Sequence, residues 1–98
     1  MNSNLEEFAN NAKKASDFLK QLSNHNRLMI LCNLQAGELS VTQLNELVPL
    51  SQSALSQHLA SLRKAELVAT RREAQTIYYR ISDETVHRQI DLLKDVFC

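Results

Sequence analysis

The chain has 98 residues, of which 44% are hydrophobic, and it carries 11 basic and 11 acidic side chains. This length and apolar fraction predict one small domain over residues 1–98 with a core of its own. A membrane span needs about 20 consecutive apolar residues, and a secretory leader needs a basic stretch before an apolar one. Neither pattern occurs, so the sequence predicts a cytoplasmic protein without membrane contact.

The net charge is zero, but the charged residues are unevenly distributed along the chain. The segment 51–80 contains five cations against two acids, so it carries a charge of +3 and the remainder carries −3. A neutral total of this kind can hide a basic face on an acidic body, and a basic face favours binding to nucleic acid.

Apolar residues at helical spacing predict two helices in the first third of the chain. In the first helix these residues run from Leu5 to Leu22, with polar residues between them. Ser23 is placed to cap the second helix, and Gly37 is placed to end it in the left-handed conformation. For the first helix, core packing is the simplest interpretation.

A short third helix is predicted by the capping box that Ser40 and Gln43 form. Pro49 ends this helix, because the residue before a proline is driven away from the helical conformation. Ser51 is then a suitable N-cap for a helix over residues 52–65. Two short helices joined by a tight turn form a helix-turn-helix pattern.

The helix predicted over residues 52–65, called the reading helix below, has two unlike faces. Leu55, Leu59 and Leu62 form its apolar face, and the opposite face carries short hydroxyl and amide side chains and ends in two cations. Such a face can approach base edges in the major groove, whereas the alternative is a solvated helix that merely lacks acids. We assign base contacts to Gln52, Ser53, Ser56 and Gln57, and phosphate contacts to Arg63 and Lys64.

After Ala65 the apolar period changes from helical to alternating, which predicts two strands at residues 67–72 and 76–81. The residues between them include neither Gly nor Asn, so we expect a loop longer than a tight two-residue turn. A basic hairpin directly after a reading helix is typical of a wing that reaches a phosphate or the minor groove, although a solvated β-turn is the alternative. The residues assigned to this contact are Arg71, Arg72, Gln75 and Thr76.

A last helix is predicted after Ser82, which is placed to cap it. Asp83 and Glu84 would lie in its first turn, where the helix dipole favours anions. This helix and the first one carry more apolar surface than a small core needs, and we interpret the excess as the interface of a homodimer. A twofold dimer presents two reading helices about 34 Å apart to a palindromic operator.

The predicted order of elements includes three separated motifs: NRLMIL at residues 26–31, LSQSALSQHL at 50–59 and RREAQTIYY at 71–79. With these motifs the chain resembles, over nearly its whole length, the ArsR/SmtB family of winged-helix regulators. The resemblance implies a mostly helical α+β fold with four helices, a two-stranded wing and a final helix. It also implies a homodimeric bacterial transcription regulator that binds double-stranded operator DNA and releases it when an inducer acts.

Many members of this family sense metal ions, but their ligand patterns are missing from this sequence. One pattern is a Cys-x-Cys pair at the start of the helix-turn-helix region, which has no cysteine here. Another is Asp-x-His with His-x-x-Glu on the last helix, where Ile90 stands three residues after His87. The three histidines are scattered and form no cluster with the thiols. We therefore predict no metal and no other cofactor.

Two cysteines remain, Cys32 in the second helix and Cys98 at the last position. A free cysteine often serves only as a small hydrophobic residue. In the branch of the family that includes haemolysin activators and sulfide-responsive repressors, cysteines at these places form a dithiol that reacts with persulfides or oxidants. The resemblance thus implies that one thiol is oxidised or persulfidated, that the other attacks it to form a disulfide or polysulfide bridge, and that DNA is released.

Three other functions are open on the sequence alone. One is a thiol-independent antirepressor or activator of virulence-type genes that competes for DNA and has structural cysteines. Another is a winged helix used for protein contact, which would favour an acidic or apolar reading face. An enzyme is the least favoured, because the sequence has no Cys-x-x-Cys motif, no glycine-rich phosphate loop and no nucleophile with an evident base.

Overall fold

The computed structural model describes residues 2–98 of the chain. Its elements, in chain order, are α1 (Asn2–Leu22), α2 (His25–Leu34), β1 (Leu39–Ser40), α3 (Val41–Leu47), α4 (Gln52–Lys64), β2 (Val68–Glu73), β3 (Thr76–Ile81) and α5 (Glu84–Phe97). The mostly helical α+β architecture predicted from the sequence is confirmed, with the reading helix at α4 and the wing at the β2–β3 hairpin. Within the described residues, no helix is both long and apolar enough to cross a membrane.

The starts of α3 and α4 agree with the prediction. The Ser40 hydroxyl accepts a hydrogen bond from the Gln43 backbone N–H, and the Gln43 side chain accepts one from the Ser40 N–H, which completes the capping box. The Ser51 hydroxyl accepts from the backbone N–H of Ala54 at the start of α4. These caps satisfy N–H groups that would otherwise lack a partner at the helix ends.

The starts of α2 and α5 were each predicted one residue too early. Asn24, not Ser23, caps α2, and Asp83, not Ser82, caps α5. Both serine hydroxyls donate elsewhere: that of Ser23 to a carbonyl in the last turn of α1, and that of Ser82 to a carbonyl between α4 and β2. Adjacent cap-forming residues compete, and each serine hydroxyl is engaged elsewhere, within the chain turn for Ser23 and across the fold for Ser82.

Strand β1 is a third strand that the sequence did not predict. It pairs antiparallel with β3, with Leu39 opposite Tyr79 and Ser40 opposite Tyr78. The sheet order is therefore β1-β3-β2, which places β3 in the centre. A strand of two residues is too short to show an alternating pattern, so no sequence signal marks it.

Two turns differ from their predicted conformations. The loop between β2 and β3 consists of Ala74 and Gln75 alone, because Glu73 already pairs with Thr76; the prediction of a longer loop is wrong. Ala74 has φ of 55°, a conformation that costs a non-glycine residue about 1–2 kcal/mol and that hairpin pairing compensates. Gly37 has φ of 148°, so it does not end α2 in the left-handed helical conformation.

The hydrophobic core lies between α2, α3, α4, α5 and the base of the wing. The predicted apolar stripe of α4, Leu55, Leu59 and Leu62, is fully buried. It packs with buried residues of the other elements, which are Leu22, Ile30, Leu31, Leu34, Leu44, Val48, Leu67, Val68, Ile81, Val86 and Ile90. Burial of all three leucines fixes the rotation of α4, and hence which of its faces points outward.

The two terminal helices leave large apolar side chains uncovered. In α1 Leu22 is buried in the core and Phe18 packs against it, whereas Phe8 is 73% exposed. At the other end Phe97 is 79% exposed. The exposed apolar residues of the two helices are Leu5, Phe8 and Leu19 on α1 and Leu92, Val96 and Phe97 on α5.

Candidate nucleic-acid interface and cysteine cavity

The connection between α3 and α4 is held by its own hydrogen bonds. The Asn45 side-chain amide donates to the carbonyl oxygen of Leu50 at 2.7 Å, and the Leu50 N–H donates to the carbonyl of Val48 at 2.8 Å. With Pro49 in the connection and Ser51 as the cap, these bonds set the angle at which α4 leaves α3. The turn of the helix-turn-helix is therefore determined locally.

The outer face of α4 is polar and contains no acidic residue. The residues to which we assigned DNA contacts on this helix, Gln52, Ser53, Ser56, Gln57, Arg63 and Lys64, are all exposed. Ser53, Gln57 and Lys64 lie on the side opposite to the buried leucine stripe, and Gln52, Ser56 and Arg63 lie on its flanks. All six belong to the outward surface of α4, which brings the predicted base-contact residues together. Short side chains in the first turns, with cations in the last, match the requirements of a helix that enters a major groove.

Thr42, at the start of α3, belongs to this surface but was missed from the sequence. It lines a cleft of about 360 Å³ together with Gln52 of α4. It also lines a second cleft of about 260 Å³ together with Gln75 and Thr76 of the wing. Thr42 therefore lies between the reading helix and the tip of the wing. A single polar residue in a short helix gives no periodic signal that could have identified it.

The two arginines of the wing have different surroundings. The Arg71 guanidinium donates to both carboxylate oxygens of Glu38 and to one of Glu73, and it lies 4.7 Å from the ring centroid of Tyr78. Hydrogen bonds from Arg71 hold the pKa of Glu38 below its ordinary value, and those to Glu38 and Glu73 raise the pKa of Arg71. Arg72 is exposed and donates only to the carbonyl of Ala74. Contact of Arg71 with DNA therefore requires the loss of two carboxylate partners, whereas Arg72 is available.

A polar layer attaches α1 and α2 to the inner side of α4. The Gln21 side-chain oxygen accepts hydrogen bonds from Arg27 at 2.7 Å and from Ser61 at 3.1 Å. His58 of α4 lies near the same layer. Burial lowers its pKa, and the charges of Arg27 and His25 lower it further. The neutral imidazole is thus favoured on the inner side of the reading helix.

Cys32 and Cys98 line one cavity between α2 and α5. Both are free thiols; Cys32 is half-buried and Cys98 is exposed. The cavity has a volume of about 230 Å³, and its other walls are formed by Leu28, Ile90, Leu93, Lys94 and Phe97. Burial raises the pKa of the Cys32 thiol, the charge of Lys94 lowers it, and Cys98 raises it again.

Metal ligands do not cluster in the part of the chain that the structure describes. No group of three or more His, Cys, Asp or Glu side chains there is arranged to hold a metal ion. The thiols of Cys32 and Cys98 instead lie in a cavity whose remaining walls are mainly apolar, together with Lys94.

The buried leucine stripe, the acid-free outer face and the adjoining hairpin define a winged helix-turn-helix protein of the DNA-binding class. Residues 24–70 match the family described as bacterial regulatory protein, arsR family. The chain belongs to this family, because close relatives cover almost its whole length. The family resemblance noted in the sequence is thereby confirmed.

Known relatives are transcriptional regulators rather than enzymes, and the protein is accordingly a DNA-binding transcriptional regulator. The transcriptional activator HlyU of Vibrio cholerae is 50% identical over 95 residues, which are 97% of this chain and 88% of that protein. The structure of its reduced form matches with a TM-score of 0.88 and 49% identity, covering 95% of this chain and 98% of that one. The transcriptional repressor BigR of Xylella fastidiosa matches with a TM-score of 0.82 and 35% identity, covering 100% of this chain and 97% of the other.

Proposed function

We propose that the protein acts in the cytoplasm as a homodimeric regulator that binds palindromic operator DNA and releases it when a Cys32–Cys98 dithiol is oxidised or persulfidated. The observation that carries the proposal is that two thiols from distant parts of the sequence line one cavity. A second supporting finding is that one solved structure of the relative HlyU is described as that of the reduced protein.

The DNA contacts of the proposal come from α4, the wing and Thr42. Gln52, Ser53, Ser56 and Gln57 contact base edges, and Arg63, Lys64 and Arg72 contact phosphates. Gln75 and Thr76 approach the backbone from the wing tip. Arg71 contributes a phosphate contact only in a state in which it leaves Glu38.

The homodimer of the proposal forms through α1 and α5, and the whole chain from residue 1 to 98 acts as one domain. Both helices expose large apolar side chains in the monomer, including Phe8 and Phe97. Large exposed apolar side chains of this kind are typical of obligate interfaces. A dimer of this kind places two reading helices on successive turns of the same DNA face.

The switch is a thiol exchange that conserves atoms and electrons. A cysteine thiolate attacks the sulfane sulfur of a persulfide RSSH and displaces RS⁻, which leaves Cys–S–SH on the protein. The second thiolate attacks the cysteine sulfur of that group and expels HS⁻, so a disulfide forms. A peroxide gives the same disulfide through a sulfenic acid with loss of water. A second persulfide that first lengthens the sulfur chain gives a trisulfide instead.

Formation of the bridge changes DNA affinity because it ties together two helices with different roles. Helix α5 belongs to the proposed dimer interface, whereas α2 packs against the reading helix α4. Cys98 ends α5, the helix of the proposed dimer interface, whereas Cys32 lies in α2, whose following loop contains Glu38. Tying these two helices together changes how the two copies are held relative to each other. Since both half-sites must be contacted at once, a small change in spacing weakens binding strongly.

A second candidate function is a thiol-independent regulator that acts as an activator or antirepressor. The observation that favours it is the burial of Cys32, which raises the pKa of its thiol and so reduces the reactive thiolate. The relatives include both kinds of regulator, since HlyU is an activator and BigR a repressor. In this alternative both cysteines are structural and take part in no redox step.

The deciding experiment measures DNA affinity as a function of thiol state. Operator duplexes are first selected from a random library with the reduced protein, and affinity is then measured by fluorescence anisotropy. Wild type, Cys32→Ser and Cys98→Ser are each compared when reduced, after treatment with a low-molecular-weight persulfide, and after renewed reduction. We expect affinity to fall on the order of tenfold in the wild type alone and to return on reduction. Unchanged affinity of a wild type whose bridge is confirmed by mass spectrometry would favour the thiol-independent regulator.

A further inference from the structure

The side chain of Gln35, the residue directly after α2, joins that helix to three successive turns of α5. Its Nε2 group donates to a carboxylate oxygen of Asp91 at 2.9 Å and to the backbone carbonyl of His87 at 3.3 Å. Its Oε1 atom accepts a hydrogen bond from the Lys94 ammonium at 3.1 Å. Both amide N–H groups and the amide oxygen of Gln35 therefore have hydrogen-bond partners on α5.

This network lies directly beside the cysteines. Cys32 is three residues before Gln35, and Lys94 is four residues before Cys98, so each is one helical turn from its neighbour. Cys32 and Lys94 line the apolar cavity that also contains Cys98. The same two residues line an adjoining polar cleft that contains Gln35 and Asp91. Lys94 thus lines both spaces together with Cys32, and its charge lowers the pKa of the Cys32 thiol.

We propose that Gln35 is a positioning residue of the dithiol, whose amide holds the Lys94 ammonium beside Cys32 and so increases the reactivity of that thiol toward sulfur electrophiles. The proposal deepens the proposed function, because it rests on Cys32 and Cys98 forming the reactive pair. Gln35 itself touches no reacting atom; it acts through Lys94.

The orientation of the amide follows from the charges around it. With its nitrogen toward Asp91 and its oxygen toward Lys94, the amide donates to an anion and accepts from a cation. A flipped amide would direct its oxygen at the carboxylate and its N–H groups at the ammonium, and both contacts would be repulsive. Asp91 therefore fixes Gln35, and Gln35 fixes Lys94. A lysine without this partner would spread its ammonium over many rotamers in solvent.

The charge of Lys94 opposes the other influences on Cys32. Burial of the thiol raises its pKa, Lys94 lowers it, and Cys98 raises it. The remaining charged or titratable side chains that line the adjoining cleft are Glu84, His87 and Asp91, all on α5. Lys94 is the one influence that lowers the pKa of Cys32, so loss of its position leaves Cys32 with the unfavourable influences alone.

The test measures the pH dependence of Cys32 alkylation by iodoacetamide in a Cys98→Ser background, where one thiol reacts. Gln35→Met keeps the length of the side chain but removes its hydrogen bonds, and Lys94→Met removes the charge. We expect each to raise the apparent pKa of Cys32 and to slow alkylation at pH 7 by about threefold, corresponding to about half a pKa unit. The double variant should be no slower than Lys94→Met alone, because both act through one ammonium. Gln89→Met, on α5 but outside this network, is the matched control and should leave the profile unchanged.

A purely structural role of Gln35 gives a different result. In that case Gln35→Met lowers the midpoint of chemical unfolding while the pH profile of alkylation stays that of the parent protein, and the positioning role is wrong. Additive slowing in the double variant would contradict it as well. These outcomes are distinct from a failure of the proposed function. The proposed function is tested by DNA affinity after persulfide treatment, whereas the alkylation of Cys32 is measured without DNA and without formation of the bridge.

Discussion

Arg71 on β2 is bound by Glu38, which lies in the loop between α2 and β1: the arginine Nε donates to both carboxylate oxygens, at 3.0 and 3.2 Å. Glu73 accepts a further hydrogen bond from the same guanidinium at 2.9 Å. The pair crosses the central strand of the sheet, and Arg71 lies over the ring of Tyr78 on the way. The two arginines of the wing, adjacent in sequence, therefore differ in the charge that they can offer to DNA.

This difference predicts that substitutions of Arg72, Arg71 and Glu38 change the salt dependence of DNA binding in three different ways. Arg72→Gln should reduce the slope of log affinity against log salt by about 0.9, because one phosphate contact is lost. Arg71→Gln should leave the slope nearly unchanged, since its charge is already paired. Glu38→Gln should increase the slope by up to about 0.9, because it frees Arg71. Anisotropy titrations at several salt concentrations measure all three.

The control for these titrations is Glu46→Gln, which removes an acid beside α4 that is not paired with a wing arginine. It separates the release of Arg71 from a general gain in positive charge. Equal loss of slope in Arg71→Gln and Arg72→Gln would show that Arg71 leaves Glu38 in the complex and makes the DNA contact that the sequence predicts for it.

The outer face of α4 predicts that base contacts and phosphate contacts can be separated by mutation. Gln57→Ala should weaken binding to the selected operator by about 1–3 kcal/mol and should relax the preference at one base position, because an amide contact to a base edge is lost. Lys64→Gln should weaken all sequences equally. Affinity for an operator series with single base changes measures the difference. Uniform weakening by both substitutions would argue against a base contact by Gln57.

The exposed apolar faces of α1 and α5 predict that charge introduced there prevents formation of the proposed dimer. Phe8 is 73% exposed in the monomer, so Phe8→Glu removes no core contact and should leave the helical content unchanged. In a dimer the new carboxylate would be buried without a partner, which costs several kcal/mol. Sedimentation velocity should therefore show a monomer, and operator affinity should fall. Asn10→Glu, on the opposite side of α1, adds the same charge and should remain dimeric.

Much of the fold was predictable because its signals are local. The apolar spacing of Leu55, Leu59 and Leu62 gave both α4 and its orientation, and the Ser40–Gln43 capping box gave the start of α3. Alternation gave the two long strands of the wing. Strand β1 was not predictable, since its two residues form a strand only by pairing with β3.

The side-chain networks of the site were not predictable for a different reason. Nothing in the sequence distinguishes Glu38 or Gln35 from other polar residues. Glu38 binds Arg71, 33 positions away, and Gln35 binds Asp91, 56 positions away. No periodic pattern encodes such pairs, which depend on the packing of α2 against α5 and of β1 against β3. The resemblance to a family placed Cys32 and Cys98, but it said nothing of the residues that surround them.

The environment of His58 on the inner side of α4 predicts that the free energy of unfolding falls with pH below neutrality. Burial and the charges of Arg27 and His25 lower the pKa of His58 in the folded state, whereas the unfolded chain keeps a value of about 6.5. As the pH falls below that value, the unfolded state binds a proton more readily than the folded state, so the free energy of unfolding decreases. Urea unfolding at pH 7.5 and pH 5.5 should show this decrease in the wild type and a smaller one in His58→Gln. An NMR titration that places the pKa of His58 at or above its ordinary value would contradict the prediction, because the imidazolium would then be accommodated beside Arg27.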